Sequence, residues 1–128
     1  MTHYHAVVWV DHAEARVFSF NAEDAQEATV HPSQPHVHLH HKAGVTGAGK
    51  SSLEAAFAHQ IADALKDFGE ILIVGPGSAK TELTTYIGEH DQKLKSKVVG
   101  VETVDHPSDG QIVAFARKYF HAADRMRH

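Results

Sequence analysis

The run His5-Ala-Val-Val-Trp-Val10 is β-branched and aromatic, and Asp11-His12-Ala13 stops it. Glu14-Ala-Arg-Val-Phe-Ser-Phe20 then brings a second apolar run, and two such runs across a short polar break predict a β-hairpin. Ala28-Thr-Val-His31 predicts a third short strand, interrupted by Pro32-Ser-Gln-Pro35, and His36-Val-His-Leu-His40 predicts a further extended piece. From Ser51 the period changes. Leu53, Phe57, Ile61, Leu65 and Phe68 recur every three or four positions, which places them on one face of a helix that Gly69 stops. Ser51-Ser-Leu-Glu54 reads as its capping box. Glu70-Ile-Leu-Ile-Val74 is an almost unbroken apolar strand, and Ala79 to His90 predicts a helix with Leu83, Tyr86 and Ile87 inward. Val98-Val-Gly-Val101 predicts another strand, and Asp109 to Ala123 a last helix opened by a second capping box, Ser108-Asp-Gly-Gln111.

The order is therefore β-β-β, then α-β-α-β-α. Strands separated by helices run parallel through right-handed crossovers, whereas the opening strands are antiparallel. This predicts an α/β fold with a mixed five-stranded sheet in the ribonuclease H-like order of elements. A length of 128 residues suits one domain over residues 1–128, and there is no internal repeat or linker to divide it. The long irregular stretch runs from Pro32 to Lys50, and stretches of that length in a compact domain are usually functional or mobile.

Composition narrows the chemistry. The absence of cysteine excludes a disulfide scaffold, a thiol nucleophile and a thiolate zinc site. The longest apolar runs are far short of the ~20 residues that cross a bilayer, and the N-terminus lacks a basic segment ahead of an apolar one, so a cytoplasmic protein without membrane contact is expected. Twelve Lys and Arg against sixteen Asp and Glu give a net charge of −4, so any nucleic-acid contact must be local rather than a bulk electrostatic effect. Thirteen histidines are unusual, and enough of them titrate near neutrality to cancel or reverse that charge in mild acid.

Several segments offer candidate chemistry. Gly44-Val-Thr-Gly-Ala-Gly-Lys-Ser51 matches G-x-x-x-x-G-K-[ST] ahead of a helix, the pattern with which an NTP-binding enzyme wraps phosphates in backbone N–H groups. The segment ahead of it is half polar, however, and no later strand ends in an acidic residue placed for magnesium. A nuclease would need carboxylates at strand ends for two metal ions. Asp11 and Glu54 fit that need, but the fourth strand ends in Gly75-Pro76-Gly77, leaving only Glu102, Asp105 and Asp109 beyond. In an extended chain His36, His38 and His40 point to one side, a spacing that can hold zinc or nickel and that a half-exposed strand also produces without metal. The same imidazoles, with Lys42, can stack on RNA. Ser78 can cap the second helix while Lys80 and Thr81 lie in its first turn, where free N–H groups would accept an anion. Asp105 and His106 allow a carboxylate–imidazole pair, and Arg117, Lys118, Arg125 and Arg127 concentrate cationic charge near the C-terminus.

Gly77-Ser-Ala-Lys-Thr-Glu-Leu83 after its apolar strand, together with Lys50-Ser-Ser-Leu53 and Val98 to Val104, resembles the middle domain of the eukaryotic and archaeal class I peptide-release factors and of Pelota. Over nearly the whole chain, Val101-Glu-Thr-Val-Asp-His-Pro107 included, it is more similar still to the small bacterial release-factor-like family called "translational machinery protein". The resemblance implies a release-factor-like domain that works in translation, in contact with ribosome or tRNA. In the release factors the loop before the long helix carries Gly-Gly-Gln and positions water for ester cleavage. Here the matching residues are Gly47-Ala-Gly-Lys50 and Ser51, the glutamine is missing, and the hydrolytic activity is not carried over with the fold. The expectation is a non-catalytic protein without a cofactor that meets RNA through Lys42, Gly44, Gly47, Gly49, Lys50 and Ser51. The glycines allow close backbone approach and the lysines supply charge. An exposed sheet edge offers a dimer seam.

Overall fold

The structure, a computed structural model, describes residues 4–32 and 53–126. Five strands form one sheet: β1 (His5–Val10), β2 (Ala15–Phe20), β3 (Ala25–Val30), β4 (Glu70–Gly75) and β5 (Val98–Thr103), in the spatial order β3-β2-β1-β4-β5. The β1–β2 and β2–β3 pairs are antiparallel, and the β1–β4 and β4–β5 pairs are parallel. Helices α1 (Ala55–Leu65), α2 (Ala79–His90), α3 (Gln92–Lys95) and α4 (Asp109–Met126) complete the domain. The mixed five-stranded sheet is the one the apolar pattern predicts.

Alternation along β1 and β4 divides the core in two. Val8, Val10, Ile71 and Ile73 face Phe57, Ile61 and Leu65 of α1, Leu83 and Ile87 of α2, and Leu94 of α3. Val7, Trp9, Leu72 and Val74 face the other way, against Ile112, Val113, Ala116 and Phe120 of α4. Burying one such large side chain contributes about 1.5–3 kcal/mol, so the two-sided burial of the central strands outweighs any local propensity.

Some boundaries differ from the predicted ones. α1 starts at Ala55 rather than Ser51, and its N-cap, Glu54, makes no side-chain capping bond, so the expected box does not open this helix. Helical structure stops at Leu65, so Leu53 and Phe68 flank the helix and pack against its core from outside. β3 begins three residues earlier than predicted, because in-register pairing with β2 recruits Ala25 to Glu27 irrespective of their polarity. Asp91 caps the unpredicted α3, its carboxylate accepting from the Leu94 N–H at 3.0 Å. The box at Ser108 is present as read: the Ser108 N–H donates to Gln111 Oε1 at 2.9 Å and the Gln111 N–H to Ser108 Oγ at 3.3 Å.

Gly75 ends β4 where β1 comes closest. A Cβ there would lie 2.3 Å from the Val10 carbonyl oxygen, a backbone atom that cannot step aside. Gly75→Ala should therefore destabilise the fold by about 2 kcal/mol, the scale of overpacking a tight site, measurable by urea unfolding; an unchanged midpoint would contradict this packing.

Candidate functional site

Because β3 and β1 both run antiparallel to β2, the C-terminal ends of β3, β1, β4 and β5 all lie at one end of the sheet, with Val10, Ala15 and Val30 in register. Crevices outside the carboxyl ends of strands are where open α/β sheets bind ligands. A cavity of about 430 Å³ opens here, lined by Asp11, His12 and Ala13 of the β1–β2 turn, by Pro76, Gly77 and Ala79, and by His106.

The turn is built by Asp11, whose Oδ1 accepts from the N–H groups of Ala13 at 2.8 Å and Glu14 at 2.9 Å. Asn21 makes the same turn between β2 and β3 through Glu23 and Asp24. Asp and Asn at these positions are a sequence signal for such turns. Asp11 Oδ1 is thus committed to backbone, and it shapes the turn that carries His12.

His12 meets Glu82, the most connected carboxylate of this end. Glu82 Oε1 lies 3.1 Å from His12 Nε2 and accepts the Leu53 N–H at 2.6 Å, and Oε2 accepts the Ser78 hydroxyl at 3.1 Å. One carboxylate in the first turn of α2 thereby joins the β1–β2 turn, the β4–α2 loop and the approach to α1. Partial burial pushes the Glu82 carboxyl up, but the bonds from His12, Leu53 and Ser78 and the His12 charge outweigh it, and the net displacement is below the ordinary glutamate value.

Across the crevice, His106 Nδ1 pairs with Asp105 Oδ1 at 2.9 Å, the carboxylate–imidazole pair that the sequence allows. Trp9 Nε1–H donates to the Asp105 carbonyl at 2.9 Å and its ring lies 5.4 Å from that of His106, so buried β1 holds the β5–α4 loop in place. Four described histidines, His5, His12, His31 and His106, approach carboxylates of Glu70, Glu82, Glu14 and Asp105.

The candidates named from sequence fall into two groups. Lys42, Gly44, Gly47, Gly49, Lys50 and Ser51, and the metal candidates His36, His38 and His40, lie outside the described residues. Their flanks are described, and both lie at this end of the sheet. His31 follows β3, with Nε2 3.6 Å from Glu14 Oε1, and Leu53 is held by Glu82. Among the described residues no group of three or more His, Asp or Glu is arranged to hold a metal ion. The strand ahead of α1 among the described residues is β3, exposed along the sheet edge, unlike the buried parallel strand that feeds a P-loop.

Of the proposed anion-binding residues, Ser78 makes no side-chain cap to α2 and gives its hydroxyl to Glu82 instead. Lys80 Nζ donates to the Gly77 carbonyl, and Thr81 is exposed. Of the scattered nuclease carboxylates, Asp109 Oδ1 holds Arg16 at 2.6 Å, and Asp105 holds His106. The cationic candidate Arg117 donates to the carbonyls of Asn21 and Asp24, so it secures the β2–β3 turn. Sequence reading missed His12 and Glu82. The available signal was an acidic residue four positions after Ser78, in a helix's first turn.

Glu82→Ala should lower stability by about 1–2 kcal/mol, chiefly by stranding the Leu53 N–H. Since the folded pKa of Glu82 is depressed, its ionic contribution is present above the ordinary glutamate range and disappears as pH falls through the lowered value. Thermal melts of wild type and Glu82→Gln should therefore differ at neutral pH and converge in strong acid. A gap that widens in acid would reverse the assignment.

No family model and no curated protein sequence matches the chain. Solved structures do match. Pelota of Thermoplasma acidophilum superposes with a TM-score of 0.62 at 24% identity, covering 89% of this chain and 32% of that one. Dom34 of S. cerevisiae, a translation termination-like factor involved in RNA quality control pathways and interacting with Hbs1, gives 0.56 at 14% identity, over 86% of this chain and 31% of its own. The archaeal translation termination factor aRF1 gives 0.54 at 14% identity, over 96% and 39%. The chain spans about a third of the length of these proteins. At such identities the likeness establishes the fold, and the mixed five-stranded α/β domain is one found in translation termination factors.

Proposed function

We propose that this chain is a non-catalytic, cytoplasmic, translation-associated protein of the small bacterial release-factor-like family. It contacts RNA on the ribosome, at a tRNA or ribosomal RNA, through the glycine-rich basic segment Gly44 to Ser51. Lys42 and Lys50 neutralise phosphate, and Gly44, Gly47 and Gly49 let the backbone approach it. The observation that carries the reading is the position of both flanks of that segment: Glu14 meets His31 and Glu82 binds Leu53, at the end of the sheet where the β1–β2 turn and the β4–α2 and β5–α4 loops meet. The fold shared with termination factors and the Gly77-Ser-Ala-Lys-Thr-Glu-Leu83 resemblance support the same reading. The missing glutamine argues against ester hydrolysis. Among the described residues no helix is long and apolar enough to cross a membrane.

Co-sedimentation with ribosomes across a salt series tests the proposal. The protein should pellet at low salt and be released as salt rises, and Lys50→Ala should weaken binding and lower the salt slope by about 1, as expected for one phosphate contact. Protein that stays in the supernatant at low salt, with no effect of Lys50→Ala, would sink the reading.

A further inference from the structure

The sheet has two edges, and their chemistry differs. β3 is exposed from Ala25 to Thr29, carries Glu27 at its middle and follows Glu23 and Asp24. A second copy laid antiparallel on it would bring Glu27 against Glu27, the like-charge arrangement that keeps edge strands apart. β5 has the opposite character. Among the described residues no strand pairs with its outer edge, and its first four residues, Val98-Val-Gly-Val101, are uncharged.

Part of the exposed apolar surface lies at this edge. Among the described residues three large hydrophobic side chains are exposed: Tyr4 at 60%, Val101 at 37% and Phe115 at 38%. Val101 lies in β5, and Phe115 lies beside its C-terminal end. Val101 is in register with Ile73 on the α2 face, where it lines a groove of about 330 Å³ with Thr84, Thr85 and Lys95. Val104 packs on the α4 face, where it lines a groove of about 440 Å³ with Pro107, Ile112 and Phe115. A strand added to β5 would send alternate side chains into the two grooves.

Charge selects the occupant. Lys95 and Lys97 stand at the N-terminal end of β5, the latter donating to the Lys66 carbonyl at 2.8 Å, while Glu102 and Asp105 stand at the C-terminal end. A second β5 running antiparallel sets the basic end of each copy beside the acidic end of the other, so the surface is complementary to itself about a two-fold axis. We propose that β5 is the seam of a symmetric dimer in which two sheets join edge to edge. This stands independently of the translation reading.

Sedimentation velocity on the full chain, over rising protein concentration, tests it. Wild type should form dimers increasingly with concentration. Lys97→Glu and Glu102→Lys should each weaken the dimer severalfold, because each cancels the charge at one end of the strand and removes the attraction there. An equimolar mixture of the two variants should restore part of it, since the acidic end that Lys97→Glu keeps then meets the basic end that Glu102→Lys keeps. Val101→Lys, which leaves both ends in place, should also abolish it. A wild type that stays monomeric throughout, a dimer indifferent to these changes, or a mixture no better than its components would each overturn the proposal.

Discussion

Strands β1 and β4 lie side by side in the middle of the sheet, and Ala6 to Val10 and Ile71 to Val74 are buried on both faces. A strand with no polar face needs a layer of helix above and below, because leaving either face in water forfeits about 25 cal/mol for every square ångström of apolar surface. The chain meets this need by crossing over: α1, α2 and α3 cover one face and α4 the other. The parallel pairing of β1 with β4 and of β4 with β5 follows from these crossovers.

The same constraint gathers the polar chemistry. Parallel strands end together, so the β1–β2 turn, the β4–α2 loop and the β5–α4 loop converge on one crevice. Interactions between these loops are few and specific. Glu82 connects three segments through one carboxylate, and Trp9 carries the rigidity of β1 to the Asp105–His106 pair through its indole N–H. The acidic Glu82 in the first turn of α2 also meets the positive end of the helix dipole, which further favours its ionised form.

The sheet's edges follow a different logic. β3 is protected by its polarity and by the negative charge around Glu27, whereas β5, whose outer edge no described strand pairs, leaves Val101 exposed beside a groove. Edge strands of soluble domains are usually blunted by charge, proline or bulges; β5 has the register shift opposite Ile71 and Leu72 and keeps its charge at its ends.

The apolar pattern alone determined the number of strands, their order along the chain, the antiparallel opening and parallel continuation, and the inward faces of α1 and α2, because burial is legible in a period of two or of 3.6 residues. The reciprocal Ser108–Gln111 cap and the Asp105–His106 pair were legible too, since both join residues a few positions apart. The side-chain cap expected of Ser78 is not made, because a hydroxyl near a helix start takes the best partner available in space. For Ser78 that partner is Glu82, itself bound to a histidine 70 residues away. Only the tertiary structure decided that His12, Glu82 and Leu53 meet, that Trp9 holds the Asp105 carbonyl, and that β5 is an outer strand. Contacts across such sequence distances arise from the packing of whole layers and leave no local period to read.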